Sequence, residues 1–172
     1  AELHTLVHQF NETTQTIEQG ATVLSMLEQK VQEMPDRHIL HDAHRSYTYS
    51  ELLDRADAIA SYLKTAYGIQ KGDVIVTMMQ RTADWPITLL AILKAGGVYL
   101  PIDLALPQKR IDFFLEESGS SLVITDSDTL QIASDLPVFN LDSQFEQPDQ
   151  ISVEPVGISQ ADIAYMIYTS GS

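Results

Sequence analysis

The chain has no cysteine among its 172 residues, so disulfides, thiolate metal sites and a cysteine nucleophile are all excluded. Basic residues are also scarce: 10 Lys and Arg stand against 24 Asp and Glu, a formal net charge of -14. That excess repels nucleic acid and anionic membrane surfaces, and neither is an expected partner. Long hydrophobic runs are missing, since none approaches the roughly 18 residues of a membrane-spanning helix. The N-terminus lacks the basic and then apolar pattern of a secretory leader. A soluble, cytoplasmic protein is the default expectation. No Gly-x-Ser-x-Gly, His-Glu-x-x-His, Gly-x-Gly-x-x-Gly or Gly-x-x-x-x-Gly-Lys-Ser/Thr pattern occurs, which removes the familiar hydrolase, zinc-protease, dinucleotide and phosphate-loop readings. What is present is 44% apolar content, enough for one sizeable core, in a chain also short enough to be a piece of a larger domain.

In order along the chain, Leu3, Leu6, Val7 and Phe10 fall at helical spacing, and residues 11 to 21 are polar and read as a linker. A second helix is predicted over residues 22 to 34, capped by Thr22, with Val23, Leu24, Leu27, Val31 and Met34 on one stripe and Pro35-Asp36 as its stop. Ile39-Leu40 and Ser46-Tyr47-Thr48-Tyr49 flank a polar turn and predict a hairpin. Thr48-Tyr49-Ser50-Glu51 has the form of a capping box, opening a helix that carries Leu52, Ala56, Ile59, Ala60 and Leu63 and ends at Gly68. After the turn Lys71-Gly72-Asp73, the run Val74 to Met79 reads as a strand covered on both faces. A helix over 82 to 95 tolerates Pro86 in its first turn and closes at Gly96-Gly97. Val98-Tyr99-Leu100 follows as strand. Pro107 then opens a helix carrying Ile111, Phe114 and Leu115, which Gly119 ends before the strand Leu122 to Thr125. Residues 127 to 134 read as a small helix, Val138 to Leu141 as a short strand and 143 to 160 as an acidic connection. Ile163 to Tyr168 reads as a last strand. This alternation predicts an α/β fold, a mostly parallel sheet with flanking helices.

Several constellations suggest chemistry. His4 and His8 share a helical face, and His38, His41 and His44 recur every third residue. The first pair has no Glu or third ligand beside it, and hairpin spacing scatters the second set over both faces and the turn, so solvated histidines are expected. Glu116-Glu117 and the pair Asp126 and Asp128 are expected to be solvated carboxylates rather than acid–base couples. The terminal stretch Tyr168-Thr169-Ser170-Gly171-Ser172 leaves two readings open. It is an ordinary strand-to-loop turn, or a place where backbone N–H groups and hydroxyls converge on an anion. With a net charge of -14, any polyphosphate bound there would need positive groups from a metal ion or from protein beyond Ser172.

Three segments, in order, resemble the first three core motifs of adenylation domains in nonribosomal peptide synthetases. They are Thr48-Tyr49-Ser50-Glu51-Leu52, then Leu93-Lys94-Ala95-Gly96-Gly97-Val98-Tyr99-Leu100-Pro101-Ile102-Asp103, then Tyr168-Thr169-Ser170-Gly171-Ser172. Gly72-Asp73-Val74, Pro107 with Arg110-Ile111, and Asp162-Ile163-Ala164-Tyr165 are similar to the text between those motifs. Residues 1 to 21, with Phe10-Asn11-Glu12-Thr13, resemble the segment joining an upstream condensation domain to an adenylation domain.

The resemblance implies that residues 22 to 172 are the first part of the large N-terminal domain of an adenylate-forming enzyme, ending inside the phosphate-binding loop. Its implied activity is conversion of an amino or hydroxy acid with ATP and Mg2+ to an acyl-adenylate, then transfer to the phosphopantetheine thiol of a peptidyl carrier domain. Thr169, Ser170, Gly171 and Ser172 then correspond to the start of the loop embracing the β- and γ-phosphates, and no catalytic or metal-ligating residue is assigned. Implied partners are the downstream remainder of the adenylation domain, the carrier domain, an upstream condensation domain and a small-molecule acid. The family's loop continues through Thr-Gly-x-Pro-Lys-Gly, and later motifs supply the amine anchor, the adenine contacts and a lysine of the small C-terminal domain. None of these is in the sequence, and Ile102-Asp103-Leu104 replaces the usual Ile-Asp-Pro. The expectation is therefore a chain inactive without the downstream polypeptide. An acyl-CoA or aryl-acid ligase of the same superfamily, and a non-catalytic fragment serving as an interaction module, are the alternatives.

Overall fold

A computed structural model of the chain describes residues 2–7, 9–13, 19–126, 135–145 and 156–169. Its centre is four strands, β3 (Val74–Met78), β4 (Val98–Pro101), β5 (Leu122–Thr125) and β6 (Val138–Asn140), in the order β4-β3-β5-β6 and parallel throughout. The mostly parallel α/β architecture predicted from the alternation is the one observed. Side-chain alternation along each strand divides the core in two. Ile75, Tyr99, Leu122, Ile124 and Phe139 face one layer, with α3 (Tyr49–Tyr67) and α4 (Asp84–Lys94) over them. Val76, Met78, Leu100 and Val123 face the other, covered by α5 (Gln108–Glu117) through Ile111, Phe114 and Leu115. Burial on both faces explains why these strands read as continuous apolar runs.

The helix starts follow from local chemistry. Thr48 accepts from the Glu51 amide at 3.2 Å while Glu51 accepts from the Thr48 amide at 2.8 Å, and Gly68 ends α3 at φ 67. Thr22 caps α2 (Val23–Glu33) with Ser25 as the reciprocal partner. Of the α2 stripe Leu24 is buried, and Val23 is exposed. The cap of α4 comes from elsewhere: Ala83 has no capping side chain, and its amide donates at 3.0 Å to Asp42 in the hairpin turn. That hairpin pairs β1 (His38–His41) antiparallel with β2 (Ser46–Thr48). Before it, α1 (Glu2–Val7) runs into a 3-10 turn at Gln9–Asn11.

Three expectations change. The pairing register of β1 shifts between His38 and Leu40, so the residues three apart no longer fall on opposite faces, and the His38 and His41 rings stack with centroids 5.9 Å apart. The strand predicted to reach Leu141 stops at Asn140, whose carboxamide accepts from the amides of Asp142 and Ser143 and so caps a short helix, α6 (Leu141–Gln144). The last strand predicted, Ile163 to Tyr168, makes among the described residues one bridge to the sheet, between Tyr99 and Tyr165. The small helix predicted over 127 to 134 lies outside the described residues.

Candidate functional site

The single bridge follows from β4 rather than from the terminal segment. The Tyr99 amide donates to Ala164 O at 3.0 Å, and the Met166 amide donates to Tyr99 O at 2.9 Å. The next rung would need an N–H from residue 101, which is proline. The preceding one would use the Gly97 amide, already donating to Ile92 O at 2.9 Å at the end of α4. Side chains still alternate as in a strand: Met166 and Tyr168 pack into the α5 layer, while Ile163, Tyr165 and Ile167 are exposed.

A polar clamp fixes the start of this segment. Lys71 Nζ donates to Gly157 O at 2.7 Å and pairs with Asp162 Oδ2 at 2.8 Å, and the same oxygen accepts from the Ser159 amide at 2.7 Å. The Lys71 ammonium and the Ser159 amide hold the Asp162 carboxyl below its ordinary range. At the other end the Tyr168 ring stacks on Phe114, with centroids 4.1 Å apart and planes 14° apart. Burial, and then the Glu117 carboxylate, pushes the Tyr168 phenol above its ordinary value. Thr169 follows and is exposed. Of the four residues singled out as phosphate-binding, Ser170, Gly171 and Ser172 lie outside the described residues.

The middle motif contributes packing. Lys94 Nζ lies 2.7 Å from Asp57 and 3.7 Å from Glu28, tying α4 to α3 and α2. Gly96, at φ 86, and Gly97 sit where added methyl groups would meet Val156 Cγ1 at 2.9 Å and Ile75 Cδ1 at 2.8 Å respectively. Beneath the hairpin, Asp84 is 2% exposed and pairs with Arg45 at 2.7 Å and Arg55 at 3.0 Å. Asp42 accepts the amides of His44, Arg45 and Ala83, which lowers its pKa to about 2. None of these ion-pair partners was visible in the sequence as a pair.

The remaining sequence candidates separate. His38 Nδ1 lies 2.7 Å from Ser46 Oγ, and among the described residues no group of three or more His, Asp or Glu is arranged to hold a metal. His8 and the side chain of His4 lie outside the described residues, as does Asp128. Glu116 and Glu117 are exposed at the end of α5. Asp126 Oδ2 accepts the Gln80 amide at 2.9 Å, joining the carboxyl ends of β3 and β5. A cleft of about 930 Å³ opens at the carboxyl ends of β3 and β4, between the hairpin turn and the segment after Pro101; ligands of open α/β sheets lie at such ends. Among the described residues no helix is long and apolar enough to cross a membrane.

Comparison with known proteins identifies the class to which this parallel-sheet α/β fold, with its anchored segment of residues 156–169, belongs. Residues 27–172 match the family described as AMP-binding enzyme, and the chain belongs to that family. It is 34% identical over 168 residues to tyrocidine synthase 3 of Brevibacillus parabrevis, an alignment covering 95% of this chain and 3% of that one. Among solved structures, the nonribosomal peptide synthetase FmoA3 in its AMPPNP-bound form superposes with a TM-score of 0.83 at 28% identity, over 97% of this chain and 18% of that chain. NpsA-ThdA from Klebsiella oxytoca, an artificially fused adenylation-PCP di-domain, gives 0.79 at 26% identity, over 88% and 29%. The chain is similar to the N-terminal portion of nonribosomal peptide synthetase adenylation domains, and it spans only a small fraction of these relatives' lengths.

Proposed function

We propose that these 172 residues act as the first part of an adenylation domain that activates an amino or hydroxy acid with ATP to an acyl-adenylate and loads it onto a carrier-protein phosphopantetheine thiol. The observation that carries this reading is the family match through residue 172 taken with the anchoring of residues 156–169, which leads directly into Thr169. In this reading Thr169, Ser170, Gly171 and Ser172 begin the loop that receives the nucleotide's phosphates; hydroxyl and backbone N–H donors suit anionic oxygens. ATP supplies the phosphoanhydride that makes the acid's carboxylate reactive. The chain's own residues bind and orient it. Mg2+ is assigned to the nucleotide's phosphates rather than to a protein cage, in keeping with its usual sparing use of carboxylate ligands.

The domain reading is that residues 1–21 form a junction following a condensation domain and residues 22–172 begin the core domain; a family match that starts at residue 27, inside α2, supports it. The downstream remainder of the domain and a peptidyl carrier domain are the expected partners, the latter supported by the likeness to an adenylation-PCP di-domain. A cytoplasmic setting completes the reading. The test is acid-dependent ATP–pyrophosphate exchange by the polypeptide carrying residues 1–172 with the rest of its adenylation domain. Exchange with at least one amino or hydroxy acid is expected, and none across a broad panel of both overturns the proposal.

A further inference from the structure

We infer that the outer edge of the segment from Ile163 to Tyr168 is an interaction surface that takes a strand of the downstream polypeptide. The inference rests on the part of the functional reading in which residues 1–172 continue into the remainder of an adenylation domain. Tyr99 of β4 donates its amide to Ala164 O and accepts at its carbonyl from the Met166 amide. Those bonds use the segment's inward-facing groups, and the alternation of a strand turns the N–H and C=O of Tyr165 and Ile167 the other way. Among the described residues these outward groups have no hydrogen-bond partner.

The side chains agree with the backbone. The bridge to Tyr99 sets Tyr165 on the sheet face covered by α3 and α4, and alternation sets Ile163 and Ile167 with it. Those helices bury Tyr99, which is 3% exposed, but leave Ile163 66%, Tyr165 63% and Ile167 59% exposed. Edge strands that stay open to water carry a charge, a proline or a bulge against pairing. Ile163-Ala164-Tyr165-Met166-Ile167-Tyr168 has no charged residue, no proline and no glycine, so it is an edge suited to being covered. The small size of the patch selects the occupant. Three side chains on a short edge offer much less than the roughly 800 Å² per partner that a stable interface between separate molecules buries, which disfavours a second copy of the chain. A tethered strand escapes that requirement, because its linker sets its effective concentration. The chain spans 29% of the adenylation-PCP di-domain and 18% of FmoA3, so a domain of this kind has ample further polypeptide to supply the strand. The strand that fits brings its own N–H and C=O groups to Tyr165 and Ile167, and apolar side chains to the face of Ile163, Tyr165 and Ile167.

The experiment uses the polypeptide carrying residues 1–172 with the rest of its adenylation domain. In the wild type, amide hydrogen exchange resolved to single residues is expected to show the Tyr165 and Ile167 amides slowed by about 100-fold or more against an unstructured peptide, like the inward Met166 amide. In two variants the photo-cross-linking residue p-benzoylphenylalanine replaces Tyr165 or Ile163, and the products of irradiation are mapped by mass spectrometry. Each is expected to join a residue beyond position 172 of the same polypeptide, at the mass of a single copy. Tyr165 and Ile167 amides that exchange within about tenfold of the unstructured rate overturn the inference. So do cross-links that fall within residues 1–172, that join two copies, or that do not form. Acid-dependent ATP–pyrophosphate exchange, measured on the same wild-type sample, tests the functional reading separately. Exchange activity with unprotected amides overturns the inference and leaves that reading standing; protected amides and downstream cross-links without exchange activity do the reverse.

Discussion

Gly97→Ala adds one methyl group where the end of α4 meets β3. The new carbon would stand 2.8 Å from Ile75 Cδ1, 3.1 Å from Ile92 Cγ2 and 3.3 Å from Asp73 O. Ile75 and Ile92 are both fully buried, so neither swings aside without disturbing its neighbours. Overpacking of this kind costs about 1–3 kcal/mol. Gly97 does not have a positive φ, so alanine fits its backbone and recovers about 0.4–1 kcal/mol by restricting the unfolded chain. The net expectation is a loss of about 1–2 kcal/mol, seen in urea unfolding as a midpoint lowered by roughly 0.5–1 M. Ile75→Val removes the nearest atom and by itself costs about 0.5–1.5 kcal/mol. Combined with Gly97→Ala it should cost less than the sum, with a coupling of about 0.5 kcal/mol or more. A Gly97→Ala protein as stable as wild type, or strict additivity of the pair, would refute the close-approach account.

Two further perturbations address the polar supports. Asp84→Ala removes two charge-assisted bonds, to Arg45 and Arg55; both arginines regain some water, so the expected loss is about 2–4 kcal/mol by urea unfolding, and a change under about 1 kcal/mol would contradict it. Asp42, with a folded pKa of about 2 against an ordinary 3.8, contributes stability that is fully present above the ordinary value and lost as pH falls through the folded one. Glu51 and Asp162 are depressed in the same direction. The unfolding midpoint should therefore drop as the pH falls from roughly 4 to 2, less steeply in Asp42→Asn; identical slopes would rule out that role for Asp42.

Much of the fold was legible because its signals are local. The capping box of Thr48 and Glu51, the left-handed Gly68 and the apolar runs of β3 and β5 each sit within a few residues of the structure they specify. Part of what failed depended on residues far along the chain. The terminal segment alternates as a strand should, yet its ladder is cut short by Pro101 and by the commitment of Gly97 to Ile92, both on or before the neighbouring strand. His38 and His41 share a side because of the irregularity between His38 and Leu40, which their spacing does not reveal. Asn140 was read as lying inside a strand that ran to Leu141, and it proved to be the strand's last residue and a helix cap. The proposal of Thr169 to Ser172 as phosphate-binding came from resemblance, since a small-residue turn is uninformative alone. The supports of that segment, Lys71 with Asp162 and Phe114 with Tyr168, join residues distant in sequence and left no pattern to find.

The most direct measurement is ATP–pyrophosphate exchange by residues 1–172 with and without the downstream part of the adenylation domain. In the proposed reading Thr169 to Ser172 begin a phosphate-binding loop, and four small residues alone would not supply the preorganised positive charge that departing pyrophosphate requires. The account predicts no acid-dependent exchange from residues 1–172 alone and exchange when the downstream polypeptide is added or joined. Exchange by residues 1–172 alone would contradict it.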